Sequence, residues 1–177
     1  MASTKNSLGW KILGGIFLVF VAAVIILPNV LRSKGTFCPI TGASTVRTIN
    51  TAQVTYATNY EKIGYAPRLA ALEPAGTEEC GPEHACMLDA KLACTGNSGQ
   101  GWCEYEGYRF NIQTSSSEPT YKDYWVTATP IEANPKLKNY CSADDAVIHI
   151  ESAAPLKRPY TRAECLAVPP DRNGYRP

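Results

Sequence analysis

Cysteines are the residues of this chain with the most evident chemistry. Seven occur among 177 residues, a high number for this length. Frequent cysteine is typical of oxidising compartments, where thiols pair and stay paired. The rival explanation is structural zinc, which uses close Cys-x-x-Cys pairs or a closely spaced histidine pair, and neither is present. His84, placed among the cysteines, keeps zinc as a minor alternative, and disulfides are expected.

The pairing of six of these cysteines has fifteen solutions, and sequence alone does not choose among them. If residues 84–93 form a helix, as their apolar pattern predicts, Cys86 and Cys94 lie about 12 Å apart along its axis, too far for a bridge. Cys38 is left over as a free thiol or an intersubunit disulfide. The favoured scheme is Cys80–Cys86, Cys94–Cys103 and Cys141–Cys165.

Catalytic motifs are absent from the sequence. Neither His84 nor His149 stands in a nucleophile elbow, a catalytic triad or a metal-binding motif. His149 alternates with Ile148 and Ile150 on a predicted strand, which favours a solvent-facing ring. The acidic pair at residues 144–145 reads as part of a turn rather than as a calcium site. We therefore expect no enzymatic activity, no cofactor and no metal.

Charge is distributed unevenly along the chain. All 16 acidic residues follow residue 40, whereas Lys5, Lys11, Arg32 and Lys34 precede it. The lysines and arginines do not form the cluster that nucleic-acid binding requires, so no nucleic-acid partner is expected. A hydrophobic content of 45% with 19% charged residues is ordinary for a folded protein.

Residues 12–31 are predicted to form a transmembrane helix. They are twenty residues without a charge, and a helix of that length reaches about 30 Å, the thickness of the hydrocarbon core. Pro28 predicts a kink near the end of this helix. A cleaved signal peptide is the alternative, but its apolar core is shorter and ends in a small-x-small site, so an uncleaved signal anchor is favoured.

The orientation of this anchor follows from the disulfides, because basic residues flank both of its ends. We expect residues 1–11 in the cytoplasm, residues 12–31 as a single pass of the cytoplasmic (inner) membrane, and membrane lipid as a partner. Residues 32–42 are the predicted linker at the membrane exit. Residues 43–165 are the predicted globular domain, periplasmic or extracellular, and residues 166–177 are predicted to be an irregular tail.

The globular domain is predicted to be α+β. Residues 43–60 carry a helical stripe, and Gly64 is the expected stop. The apolar period then changes to two, which predicts a strand with one buried face at residues 108–113 and a second alternating strand at residues 124–129. A third strand is predicted at residues 146–151. Gly107 shifts the phase and predicts a bulge. Three successive strands make an antiparallel meander, with the helix packed on its apolar face. The stripe consists of Val46, Ile49, Gln53, Tyr56 and Tyr60.

This order of elements resembles the type IV pilins and the pseudopilins of type II secretion. The resemblance spans roughly residues 12–150, with a cysteine-bearing insertion at 78–104. It implies a structural subunit of a filament or secretion apparatus, with pilin-like subunits as partners and a C-terminal disulfide loop closed by Cys141 and Cys165. The segments that carry it are residues 28–34 (PNVLRSK), 47–58 (RTINTAQVTYAT), 64–66 (GYA), 69–72 (LAAL), 107–110 (GYRF), 124–130 (YWVTATP) and 140–148.

The prepilin motif departs from the family pattern. Alignment on Pro28 places it over residues 6–11, where Asn6 and Ser7 stand at the cleavage site without a glycine and Lys11 replaces the family's glutamate. In the family, that glutamate neutralises the N-terminal amine of a neighbouring subunit. An unpaired charge buried there costs several kcal/mol, and a lysine would repel the amine. We hypothesise that the chain is not cleaved and is a minor or non-polymerising member; a methylated N-terminus near Ser7 in mass spectrometry contradicts this. The alternative function is a membrane-anchored binding or adhesion module of pilin-like architecture.

Overall fold

A computed structural model describes residues 40–76, 79–94, 101–115 and 120–171. No helix within these ranges is long and apolar enough to cross a membrane. The predicted span 12–31 with Pro28, the altered motif with Asn6, Ser7 and Lys11, and Cys38 lie outside them. The elements are helix α1 (Ile40–Asn59), a 3-10 helix (Leu69–Leu72), strands β1 (Cys103–Tyr105), β2 (Tyr108–Gln113), β3 (Trp125–Pro130), β4 (Asn139–Ala143) and β5 (Ile148–Glu151), and helix α2 (Arg162–Ala167).

Helix α1 confirms the predicted helical stripe. Val46, Ile49, Gln53 and Tyr56 are buried, because their spacing of three or four residues places them on the side that faces the sheet. The chain leaves the helix through a turn that reaches Gly64 at φ +83°. A side chain at this position would collide with a backbone oxygen, so glycine is required there.

The sheet has five antiparallel strands in the order β1-β2-β3-β4-β5. The α+β prediction is confirmed, whereas the prediction of three strands missed β1 and β4. The predicted bulge at Gly107 is wrong, because Tyr105 pairs directly with Tyr108. Glu106 and Gly107 have φ of 46° and 84°, so they form a two-residue hairpin turn of the kind that matches strand twist.

One face of the sheet packs against α1. Its buried aromatic side chains include Tyr108, Phe110 and Tyr124. Polar groups fix the helix on this face: the Asn50 amide donates to the Ser142 hydroxyl at 2.8 Å, and the Tyr124 hydroxyl donates to Asn50 at 3.2 Å. Buried polar groups are stable only when paired in this way, so they specify one register of helix against sheet.

The opposite face of the sheet is also buried, although its side chains are partly polar. All six residues of β3 are buried. The Trp125 indole donates to the Tyr160 carbonyl at 2.8 Å, and the Leu156 amide donates to the Thr129 hydroxyl at 2.8 Å. The prediction of a single buried face is therefore wrong, because residues 154–170 cover the second face and satisfy its hydroxyls.

The described part of the C-terminal segment, up to residue 171, packs against the sheet. Thr161 and Glu164 form a reciprocal capping box at the start of α2. Beyond α2 the chain runs along β5, where the Ile150 amide donates to the Pro169 carbonyl at 3.1 Å. Residues 166–171, assigned from sequence to an irregular tail, thus cover the outer edge of the sheet. His149 is buried beneath them, and the prediction that it faces solvent is wrong.

Residues 84–93 do not form the predicted helix. The amides of Ala85, Cys86 and Met87 donate instead to carbonyls of residues 71–73, at 2.8–2.9 Å. Cys86 and Cys94 have positive φ, which interrupts any helix. The apolar residues of this segment still reach the core, but through contacts with the 3-10 helix rather than through helical periodicity.

Candidate functional site

The six predicted disulfide cysteines pair as the favoured scheme requires. The Cα atoms of Cys80 and Cys86 are 5.7 Å apart, those of Cys94 and Cys103 are 5.4 Å apart, and those of Cys141 and Cys165 are 5.8 Å apart. The third bridge is fully buried and ties α2 to β4. All three therefore serve as staples of the fold in this oxidised form.

The two histidines lie apart and take unrelated roles. His84 Nδ1 lies 2.9 Å from a Glu73 carboxylate oxygen, and His149 Nδ1 lies 2.6 Å from the Val168 carbonyl. Within the described ranges, no three His, Cys, Asp or Glu side chains are grouped so that they could hold a metal ion. The structure does not bring these residues together into one site.

The exposed face of α1 is a more informative surface. We call it the threonine face, and its members are exposed along the length of the helix. Arg47 is the single charged residue in all of α1. Val54 is 50% exposed at its centre. A solvent-facing helix usually carries charged side chains, so this composition is unusual. The threonine face consists of Ser44, Arg47, Thr48, Thr51, Val54, Thr55 and Thr58.

The hydroxyls of the threonine face bond within their own helix. Thr51 donates to the carbonyl four residues earlier at 3.0 Å, and Thr55 does so at 2.8 Å. Thr48 and Thr58 make the same bond. A partner that covers this face leaves none of these hydroxyls without an acceptor, so the usual cost of burying polar groups is avoided. The face is therefore suited to close packing against a second helix.

One edge of the sheet is covered by the chain itself. Residues 169–171 bond to the outer edge of β5, and Pro169 and Pro170 lack the amide hydrogens that a further strand needs. At the other edge, the Cys94–Cys103 bridge ties the start of β1 to the preceding turn. Strand addition at β5 is thus blocked by the chain itself.

A second surface feature is a cleft of about 410 Å³ at the C-terminal end of α1, called the aromatic cleft here. The Tyr56 hydroxyl at its base donates to the Pro82 carbonyl at 2.8 Å. Arg68 and Glu83 form an exposed ion pair at 2.6 Å at its rim, and the Cys80–Cys86 bridge closes the loop that forms one wall. Its lining residues are Tyr56, Ile63, Pro67, Arg68, Ala71, Pro82, Glu83 and Tyr121.

Three titratable groups with shifted pKa values, Tyr124, Tyr140 and Glu164, have structural roles. Burial, together with the neighbouring Tyr108, raises the pKa of Tyr140 to about 12, and burial also raises the pKa of Tyr124 above its ordinary value. The Arg158 guanidinium and the Thr161 amide hold the pKa of Glu164 at about 2. The neutral tyrosines are thus suited to the core, and the carboxylate is suited to its capping role.

Sequence reasoning identified the buried stripe of α1 but not the threonine face opposite it. The available signal was the near absence of charge through residues 40–59. The aromatic cleft had no comparable signal, because its walls come from three separate parts of the chain. No protein-family model matches this chain, and searches of the curated proteins and of the solved structures also found no match.

Proposed function

We propose that this protein is a structural, pilin-like component of a type IV filament or a type II secretion apparatus, and not an enzyme. It is a minor or non-polymerising member, anchored in the cytoplasmic membrane by residues 12–31. The threonine face carries the proposal, because it offers a nearly uncharged helix surface that can pack against a neighbouring subunit. The bonded hydroxyls and the 50% exposed Val54 favour such packing.

The architecture of the domain supports the same proposal. A helix packed along an antiparallel sheet and a C-terminal loop closed by Cys141–Cys165 agree with what the resemblance implies. The covered edge of β5 directs association toward the helix rather than toward strand addition. The subunits that would pack against the threonine face are other pilin-like chains of the same apparatus.

Site-directed photo-crosslinking in native membranes tests this proposal. In the test variant a photo-reactive residue replaces Val54, which is 50% exposed on the threonine face. In the matched control it replaces Val147, which is 42% exposed in the turn between β4 and β5. We expect the first position alone to yield adducts that contain a pilin-like subunit. Equal yields from both positions, or adducts without such a subunit, contradict the proposal.

The aromatic cleft favours a second candidate function, a membrane-anchored binding or adhesion module. Its aromatic and proline walls are held by a disulfide, and its rim presents both a guanidinium and a carboxylate. Preformed clefts of this kind bind ligands at low conformational cost. An adhesion assay with the charge-reversed pair Arg68→Glu and Glu83→Arg tests it, and unchanged adhesion argues against this second function.

A further inference from the structure

One end of the sheet lies beside the first turns of α1. A Cβ atom added to Gly42 would lie 2.7 Å from the ring of Tyr140 and 2.8 Å from the ring of Tyr108. Tyr108 is the first residue of β2, and Tyr140 is the second residue of β4. The start of α1 therefore packs at the end of the sheet where β2 and β4 begin.

Two chain segments project from this same end. Tyr108 pairs with Pro130, the last residue of β3, and Asn139 pairs with Glu151, the last residue of β5. The connection from β3 to β4 (residues 131–138) and the segment that follows β5 (residues 152–158) therefore leave the sheet beside the start of α1. We call these two segments the proximal loops.

The proximal loops are basic. Lys136, Lys138, Lys157 and Arg158 are exposed, and Glu132 is their one acidic residue. Arg158 is paired with Glu164 at 2.8 Å. Among the described residues, none of the three lysines takes part in a salt bridge. Their ammonium groups are thus available to an anionic surface.

An uncharged groove of about 380 Å³ lies between the proximal loops. The Asn139 amide donates to the Ala154 carbonyl at 3.0 Å, which ties one loop to the sheet. Ile131 is 39% exposed at the start of the other loop. A fixed apolar groove bordered by lysines complements the headgroup region of a bilayer, where phosphates lie next to hydrocarbon. The groove is lined by Ala133, Asn134, Pro135, Leu137, Ser152, Ala153, Ala154 and Pro155.

We propose that the proximal loops dock on anionic phospholipid headgroups of the membrane that carries the chain. This inference rests on the anchoring part of the proposed function and adds a lipid class to it. Residues 31 and 40 are nine residues apart, and an extended chain of that length spans at most about 30 Å. That length is only an upper bound on the separation. The attraction of a lysine to an anionic surface falls off within a Debye length of about 8 Å, so docking requires the proximal loops to lie at the headgroups themselves.

Hydrogen–deuterium exchange of the full-length chain in lipid nanodiscs tests the docking. We expect backbone amides of the proximal loops to exchange about tenfold more slowly in phosphatidylglycerol discs than in phosphatidylcholine discs, since each lysine near an anionic surface adds attraction. The triple variant Lys136→Glu, Lys138→Glu and Lys157→Glu is expected to abolish this difference.

A matched triple variant with the same change of charge is the control. Lys62, Lys91 and Lys122 are exposed outside the proximal loops, and their replacement by glutamate is expected to leave the lipid difference intact. Loss of the difference in this control, or equal exchange in both lipids for a chain that stays in the discs, overturns the docking alone. A chain that separates from the discs overturns both the docking and the anchor.

Discussion

Gln53 connects α1 to the segment that follows it, and its replacement should be strongly destabilising. Its side-chain nitrogen donates to the Ala66 carbonyl at 2.9 Å, and its side-chain oxygen accepts from the Ala66 amide at 2.8 Å. Both residues are 0% exposed. Gln53→Met keeps the size of the side chain but removes both partners of the Ala66 backbone.

The expected loss follows from these two backbone groups. A buried donor or acceptor left without a partner costs about 1–3 kcal/mol, and methionine of similar volume leaves little cavity to add to that cost. We therefore expect the free energy of unfolding to fall by about 3 kcal/mol. With a urea dependence of about 2 kcal/mol per molar, the unfolding midpoint moves down by about 1.5 M.

Urea unfolding of the full-length chain in a non-denaturing detergent, followed by tryptophan fluorescence, measures this loss. Trp102 and Trp125 are each 9% exposed, so their emission reports unfolding of the domain. Val54→Met, at the exposed neighbouring position, is the control and is expected to change stability by less than about 0.5 kcal/mol. A loss for Gln53→Met as small as that of the control refutes the reasoning, because water or a local shift would then satisfy Ala66.

Three further predictions concern close packing, the C-terminal staple and pH. Gly42→Ala is expected to destabilise the domain by about 1–3 kcal/mol in the same urea assay, because its methyl group meets two tyrosine rings; no loss contradicts the close contact. Cys141→Ser with Cys165→Ser opens a loop with a sequence separation of 24 and is expected to cost about 3 kcal/mol, a difference that reduction should abolish. The pKa of Glu164 is lowered from 4.5 to about 2. Its ionised carboxylate therefore contributes to the free energy of unfolding above pH 4.5, and this contribution is lost as the pH falls through about 2. In Glu164→Gln the free energy of unfolding should therefore fall less steeply as the pH is lowered below 4.5. The same pH dependence as in the wild-type chain contradicts the Arg158 contact.

Local patterns in the sequence were enough to place α1 and the strands β2, β3 and β5. The spacing of Val46, Ile49 and Gln53 marked the buried side of α1, because helical geometry sets that period without help from the rest of the chain. Alternation of residues 108–113 marked β2, because successive side chains of a strand point to opposite faces of the sheet. The prediction missed β4, because this strand of residues 139–143 is short, is partly polar and is buried on both faces. Such a strand shows no alternation.

The cysteine pairing was confirmed although one of its supporting arguments was wrong. A helix at residues 84–93 was expected to keep Cys86 from Cys94, but those residues form turns. A short antiparallel bridge between Gly81 and His84 brings Cys80 and Cys86 together instead. Proximity along the chain favoured the right partner, since short loops close at the lowest entropic cost.

Local sequence was sufficient to predict the buried stripe of α1 and the alternation of β2 and β3, and it contains the near absence of charge along α1. The disulfide pairing stayed one favoured scheme among fifteen until the structure showed it. The folded structure was needed to show that His149 is buried, that both faces of β3 are covered, and where the aromatic cleft and the proximal loops lie. The physical reason is that periodicity reports which side of an element is apolar. What covers the other side depends on segments distant in the chain, and here residues 154–170 supply hydrogen bonds that make a polar face suitable for burial.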